Sequence, residues 1–100
     1  MAVSFTRPYK AILDDMSEAL IRIPNAYASL DMEQLDWEGL TPEEQKEVME
    51  ALADDLFYGL GKERLQFIGD GSIHYDREFA HFEFMFNNET VATVGLKETE

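Results

Sequence analysis

The chain has 100 residues, of which 45% are apolar, and its 21 acidic and 8 basic residues give a net charge of −13. A chain of this length has room for a single hydrophobic core, so we expect one compact domain over residues 1–100. The sequence contains no cysteine, which excludes disulfides and cysteine-ligated zinc, and no apolar run approaches the roughly 20 residues that cross a bilayer. Because its start does not resemble a signal peptide, we expect the protein in the cytoplasm, or in a host's cytoplasm if a phage encodes it.

Most of the negative charge lies in one part of the chain. Residues 14–55 contain 13 acidic residues and only two basic ones, Arg22 and Lys46, which leaves a net charge of −11 there. Such a field repels nucleic acid and anionic membranes and attracts basic protein surfaces. We therefore expect a basic protein as the partner, with no direct binding to nucleic acid or membrane.

A first helix is predicted over about residues 8–22. Its apolar residues recur at steps of three and four, and Pro8 suits the first turn of a helix, with Thr6 or Arg7 as the cap. Pro24 ends the helix, because the residue before a proline avoids the helical region.

Residues 25–40 form the least regular part of the chain. Asp31 and Gln34 have the spacing of a capping box, which predicts a short helical turn near residues 32–36. Trp37 lies between Asp36 and Glu38, so it either covers the core or stands exposed as an anchor for a partner. Core cover is favoured, since tryptophan is highly buried on average.

A second long helix is predicted over about residues 42–60. Thr41 provides a capping hydroxyl, Pro42 follows in the first turn, and Glu44 is placed to return to the cap nitrogen. Lys46 is three residues after Glu43 and four before Glu50, so we expect it to relieve repulsion between acids on this helix. Acids at steps of four, three and four form one line, here called the acidic stripe: Glu43, Glu47, Glu50 and Asp54. A solvated helix face is the simpler interpretation of the stripe, and a surface that docks on arginines and lysines of a partner is the functional one.

The rest of the chain predicts a four-stranded antiparallel meander, with strands at about 65–68, 72–75, 79–86 and 90–96. Residues 69–71 are expected as a three-residue loop with Gly71 left-handed, which would pair Phe67 with Ile73 and Leu65 with Tyr75. A turn at residues 77–78 would then set Ile73 opposite Phe82.

The last turn decides which side chains of the fourth strand face the core. A three-residue loop at 87–89 would set Phe82 opposite Val94 and Phe84 opposite Ala92, which keeps both faces of the sheet consistent. The fold class is therefore α+β, with the helices packed on one face of the sheet. The side chains expected on that face are Leu65, Phe67, Ile73, Tyr75, Phe82, Phe84, Val94 and Leu96.

The outer sheet face, turned away from the helices, cannot be buried by them. Phe79, Met85 and Val91 are expected there, either covered by residues 25–40 or left for a partner. In the predicted register His74 lies opposite His81, and Glu83 lies two residues along, which is a ligand set that iron or zinc accepts. An exposed cross-strand pair is the simpler interpretation, so we expect no metal and no other cofactor.

The sequence contains no nucleophile motif, P-loop or calcium loop, and paired carboxylates carry little weight in so acidic a chain, so no enzyme activity is predicted. The leading hypothesis is a small binding protein that blocks or regulates a basic partner. An inhibitor of a nucleic-acid-handling enzyme, of the phage anti-defence or toxin-immunity type, is its concrete form. The residues expected to contact the partner are Glu43, Glu47, Glu50, Asp54, Asp36, Glu38 and Trp37.

Two further interpretations follow from the same surfaces. A mimic of DNA would need the loop and helix acids together, because four carboxylates over about 16 Å of helix compare with about ten charges on duplex DNA. The alternative of another class is a structural or assembly module that forms a homodimer through the outer sheet face or a sheet edge.

Overall fold

The computed structural model describes residues 3–98. Two long helices, α1 (Tyr9–Ile21) and α3 (Pro42–Lys62), are joined by a 3₁₀ helix (Ala26–Leu30) and the short helix α2 (Gln34–Glu38). The strands follow in the order β1 (Leu65–Ile68), β2 (Gly71–Asp76), β3 (His81–Phe86) and β4 (Glu89–Gly95). They form one antiparallel sheet in chain order, and α1 and α3 pack together with contacts to β4 and β1. The predicted α+β class is confirmed.

The start of α3 follows from its sequence. The backbone N–H of Glu44 donates to Thr41 Oγ1 at 3.2 Å, and that of Thr41 donates to Glu44 Oε1 at 2.9 Å, so the predicted capping box is present. At the other end the helix continues to Lys62, two residues beyond the predicted bound. Within residues 3–98, no helix combines the length and apolar character that crossing a membrane requires.

The start of α1 differs from the prediction. Pro8 itself is the N-cap, and its carbonyl accepts hydrogen bonds from the backbone N–H groups of Ala11 and Ile12. The expected cap at Thr6 or Arg7 is therefore wrong. The Thr6 hydroxyl instead accepts from the backbone N–H of Glu98, and the Arg7 guanidinium pairs with Asp15 at 2.7 Å.

The connecting segment is also shifted from its prediction. Asp31 has a left-handed backbone, φ 57°, and α2 begins after Glu33 without a side-chain cap, so the predicted capping box at Asp31 is wrong. Trp37 is half-buried against the edge of the core, and its ring stacks on that of Tyr27 at 5.5 Å and 14°. Trp37 therefore covers the core, as favoured from the sequence.

The β1–β2 turn has two residues, Gly69 and Asp70, and Gly69 takes the positive φ of 52° that was expected at Gly71. Contacts outside the sheet hold this turn, since the Asp70 N–H donates to Pro24 O at 3.0 Å and the Gly69 N–H to Ser29 Oγ at 3.2 Å. The predicted three-residue loop is wrong.

The shorter turn shifts β1 by one residue, which exchanges its two faces. Phe67 pairs with Ser72, and Ile73 with Gln66. Phe67 and Leu65 are therefore 77% and 40% exposed on the outer sheet face, so their predicted place in the core is wrong. Ile68 is buried on the helix side instead.

The β2–β3 pairing differs from the prediction by two residues. Ile73 lies opposite Phe84, not Phe82, and Tyr75 lies opposite Phe82. The cause is a longer turn over residues 77–80, in which Asp76 Oδ1 accepts from the Phe79 N–H at 3.0 Å and Ala80 is left-handed at φ 54°. Because a shift of two keeps each side chain on its face, the predicted burial of these residues is unaffected.

The last turn contains two residues, not three. Asn87 and Asn88 both have positive φ, 54° and 64°, as a type I′ turn requires, and Phe86 lies opposite Glu89. A β-bulge opposite the step from Phe84 to Met85 leaves Val91 of β4 without a partner residue. This extra residue restores the match between the inward-facing side chains of β3 and β4. The predicted pairs of Phe82 with Val94 and Phe84 with Ala92 are thus confirmed, although the predicted loop is wrong.

The remaining predicted core positions are buried as expected. Phe82 and Phe84 have no exposed surface, and Phe57 from α3 meets Phe82 edge-on at 5.8 Å and 74°, which joins helix to sheet. The predicted core residues that are confirmed are Ile73, Tyr75, Phe82, Phe84, Val94 and Leu96.

The outer edge of β4 is occupied by groups from the helical half. Arg22 Nη1 donates to the carbonyl of Val91 at 3.4 Å, and Arg7 Nη1 donates to that of Gly95 at 2.7 Å. The backbone N–H of Thr6 donates to the carbonyl of Leu96 at 2.9 Å. These bonds use acceptors that an added strand would need.

Candidate functional site

The acidic stripe meets the seam between α1 and α3 at its Asp54 end. The two helices are antiparallel, because the Tyr9 hydroxyl donates to Asp54 Oδ1 and Lys46 Nζ pairs with Asp14 Oδ1 at 2.5 Å. Of the stripe, Glu43 and Glu47 are exposed, whereas Glu50 and Asp54 are half-buried. The stripe residues therefore share one face of the helical layer, but they differ in how far they reach solvent.

Lys46 relieves the stripe only in part. Its ammonium bonds to Asp14 on the neighbouring helix, and of the two acids expected to benefit only Glu50 is seen to interact with it. The hydrogen bond to Asp14 is the main cause that raises the pKa of Lys46; desolvation opposes it, and the negative charges of Asp14, Glu18 and Glu50 each raise the pKa by less. Acids from both long helices thus converge around this one ammonium group.

Asp54 is the most constrained carboxylate of the stripe. Burial and the hydrogen bond to Asp54 together raise the pKa of Tyr9 well above its ordinary value, so this phenol remains a donor to the carboxylate. One oxygen of the Asp54 carboxylate therefore accepts from Tyr9, and the other remains for a partner at this end of the stripe.

The other residues expected to contact a partner lie beside the N-terminus of α3. The Gln45 side chain on α3 donates to the carbonyl of Trp37 at 3.0 Å, which ties α2 to the beginning of the stripe. Asp36 and Glu38 are exposed, and Glu38 accepts from the side chain of Gln34 at 2.8 Å. Asp36 and Glu38 therefore flank a residue that is bonded to the start of α3, whereas the Trp37 ring covers the core.

An aromatic pocket lies at the Asp54 end of the seam, and sequence reasoning missed it. The pocket has a volume of about 200 Å³ and is lined by Val3, Phe5, Tyr9, Phe57 and Tyr58. Phe57 meets Tyr9 edge-on at 4.9 Å and Phe5 edge-on at 5.3 Å. The one feature of the sequence that could have indicated this pocket is that Phe5 and Tyr58 lie outside the apolar periodicity of the helices.

The outer sheet face is open over the described residues, so residues 25–40 do not cover it. Phe67 on β1, His74 on β2 and Thr93 on β4 are all exposed. Phe79, expected within the third strand, lies in the turn before it and is 71% exposed, with its ring stacked on that of His81 at 6.1 Å and 12°.

The histidines on this face do not pair with each other. His74 lies opposite Glu83, and its Nε2 is 3.4 Å from Ser72 Oγ, whereas His81 lies opposite Asp76. The predicted juxtaposition of His74 with His81 is therefore wrong. His81 Nε2 lies 3.0 Å from Glu83 Oε1, and Asp76 completes a set whose ligand atoms are all within 4.8 Å of one another. One imidazole and two carboxylates are donors that zinc, manganese and iron accept.

Three surfaces therefore stand out: the acidic stripe with its loop neighbours, the aromatic pocket, and the outer sheet face. No known protein family matches the chain, and neither a curated protein nor a solved structure shows significant similarity to it. The functional proposals below accordingly rest on the chemistry of these surfaces.

Proposed function

We propose that this is a non-enzymatic binding protein whose acidic helical face docks onto a basic partner and blocks or regulates it. The observation that supports the proposal is the convergence of carboxylates from α1 and α3 around Lys46, which is itself bound to Asp14. Such a face presents negative charge to solvent over both long helices. Electrostatic complementarity of this kind raises association rates and selects partners by charge.

The aromatic pocket provides a binding site for one cationic side chain of the partner. Arginine and lysine are attracted to the faces of aromatic rings, and the carboxylate of Asp54 is held beside the pocket by Tyr9. Proteins that handle nucleic acid carry surfaces rich in arginine and lysine, because they bind phosphate. An enzyme of this class is therefore the partner that the acidic stripe and the pocket fit best.

Reversing two charges of the stripe tests this proposal. The double variant Glu47→Lys/Glu50→Lys is expected to reduce capture of a basic partner from cell lysate at low salt by at least about tenfold, since it replaces attraction with repulsion. The measurement is affinity purification with quantitative mass spectrometry at low and high salt, and wild-type capture should fall steeply as salt rises.

The matched control variant changes the net charge by the same amount, but at two positions outside the stripe. Glu63 and Glu98 are both exposed, at the end of α3 and beyond β4, and the variant Glu63→Lys/Glu98→Lys should capture the partner nearly as well as the wild type. If the two double variants bind alike, the stripe is only a solvated helix face and the proposal fails.

A second candidate function is self-association through the outer sheet face, favoured by the exposure of Phe67 at 77% and Leu65 at 40%. Exposed aromatic and aliphatic side chains grouped on one face mark interaction sites. Two chains that each carry a charge of −13 repel one another, and they repel least where acids are few. The paired strand positions on this face include only two acids, Asp76 and Glu83, so a second copy is the occupant it suits.

Oligomeric state distinguishes the two candidates. Self-association predicts a dimer by size-exclusion chromatography with light scattering, with a mass that is the same at low and high salt. The variant Phe67→Ser should then be monomeric, whereas Glu47→Lys/Glu50→Lys should remain dimeric. A wild-type chain that is monomeric at high micromolar concentration would reject self-association and leave the acidic binding proposal standing.

A further inference from the structure

The cluster of Asp76, His81 and Glu83 is held by the sheet itself. Asp76 ends β2, His81 begins β3 directly opposite it, and Glu83 lies two residues further along the same face. All three side chains are half-buried. The strand register therefore fixes which three groups meet, which a loop of the same composition would not do.

The spacing of two of these groups is close to that of a coordination site. His81 Nε2 and Glu83 Oε1 are 3.0 Å apart. Two ligand atoms at about 2.1 Å from a tetrahedral zinc ion are separated by about 3.4 Å, so these two atoms need to move apart by only about 0.4 Å. An ion could thus lie between these two atoms, with Asp76, whose ligand atom is within 4.8 Å of both, moving slightly closer as the third ligand.

Neighbouring groups orient two of the ligands. The backbone N–H of Phe79 donates to Asp76 Oδ1 at 3.0 Å, so the second carboxylate oxygen remains for an ion. The ring of Phe79 stacks on that of His81 at 6.1 Å and 12°, which limits the directions that the imidazole can take. Partners that orient ligands in this way commonly raise the affinity of a metal site.

We propose that Asp76, His81 and Glu83 form a binding site for one zinc ion, with water completing its coordination. A mixed nitrogen and oxygen set favours zinc over magnesium, which prefers oxygen ligands and retains its waters. When the ion binds Nε2 of His81, a charged imidazole releases its Nε2 proton to solvent, and a neutral imidazole carries its one hydrogen on Nδ1. The site lies on the sheet, apart from the acidic helical face, and does not depend on the proposed function.

Zinc titration of variants that each lack one of the two histidines tests the proposal. Isothermal titration of the full chain with zinc chloride is expected to show one site per chain, and His81→Ala should weaken it by at least about tenfold. His74→Ala removes the other histidine of the same face, which lies opposite Glu83 but outside the ligand set, and this variant should retain the zinc site. The conservative variant Glu83→Gln should also lose affinity, and circular dichroism checks that each variant is folded.

Several outcomes would overturn the assignment. One is that the wild type does not bind zinc at high micromolar concentration. Another is that the two histidine variants lose zinc affinity to the same extent. Binding of several ions per chain, competed equally by magnesium, would indicate attraction to the acidic surface instead. The Glu47→Lys/Glu50→Lys variant separates that case, because it should lose such diffuse binding but retain the single site on the sheet.

Discussion

Replacing Phe82 by alanine is expected to lower the free energy of unfolding by about 3–5 kcal/mol. The side chain has no exposed surface and meets Phe57 and Tyr75 edge-on, at 5.8 Å and 5.4 Å, so its removal leaves a cavity between helix and sheet. Domains of this size have a total stability of about 5–15 kcal/mol, so the variant should unfold at much lower denaturant concentration. Equilibrium unfolding in urea, followed by circular dichroism, measures the change.

Phe67→Ala is the matched control, because it removes the same side chain from a position that is 77% exposed. Its effect is expected to remain within about 0.5 kcal/mol. The pair of variants also tests the strand register, since the pairing expected from the sequence would bury Phe67. A loss from Phe67→Ala as large as that from Phe82→Ala in a monomeric chain would contradict the two-residue turn before β2.

Gly69→Ala is expected to cost about 2–5 kcal/mol, from left-handed strain together with steric overlap. Gly69 has φ 52°, and a Cβ there would lie 2.5 Å from the carbonyl carbon of Asn25 and 2.6 Å from the amide nitrogen of Ala26. These are backbone atoms that cannot rotate aside, so either the turn or the segment before the 3₁₀ helix has to move. Thermal and urea unfolding measure the loss.

Gly95→Ala is the corresponding control within β4. A Cβ at Gly95 meets nothing within 4 Å, so alanine should leave stability unchanged or raise it slightly by restricting the unfolded chain. Equal destabilisation by the two substitutions would mean that the approach of Asn25 to Gly69 does not control the turn.

The features that were predictable from the sequence are those with local causes. The capping box at Thr41 acts over three residues, and it fixed the start of α3. Alternating phenylalanines in β3 placed Phe82 and Phe84 in the core, whatever the lengths of the flanking turns. At the last turn, the two-residue turn and the bulge together add one residue to β4, as the predicted three-residue loop would have done. The pairing of Phe82 and Phe84 was therefore predicted correctly although the turn was not.

Most of the features that were missed depend on groups far apart in the chain. The first hairpin turn is an exception, since Gly69-Asp70 is a typical two-residue turn sequence; only its contacts with Pro24 and Asn25 are distant. For the candidate sites, helical spacing located the acidic stripe, but the bond from Lys46 to Asp14 requires the packing of two helices. Asp76 joined the histidine cluster only because the pairing of β2 with β3 differed by two residues.

The occupied carbonyls along β4 limit how copies of this chain could grow into larger assemblies. Open-ended filaments built by strand addition need two available edges on each sheet, one to donate pairing and one to receive it. Arg22, Arg7 and Thr6 already bind acceptors along one edge, and the opposite edge is the four-residue strand β1. Strand addition at the β4 edge would have to displace these bonds, so this edge is a poor template for growth even though the outer face exposes aromatic side chains.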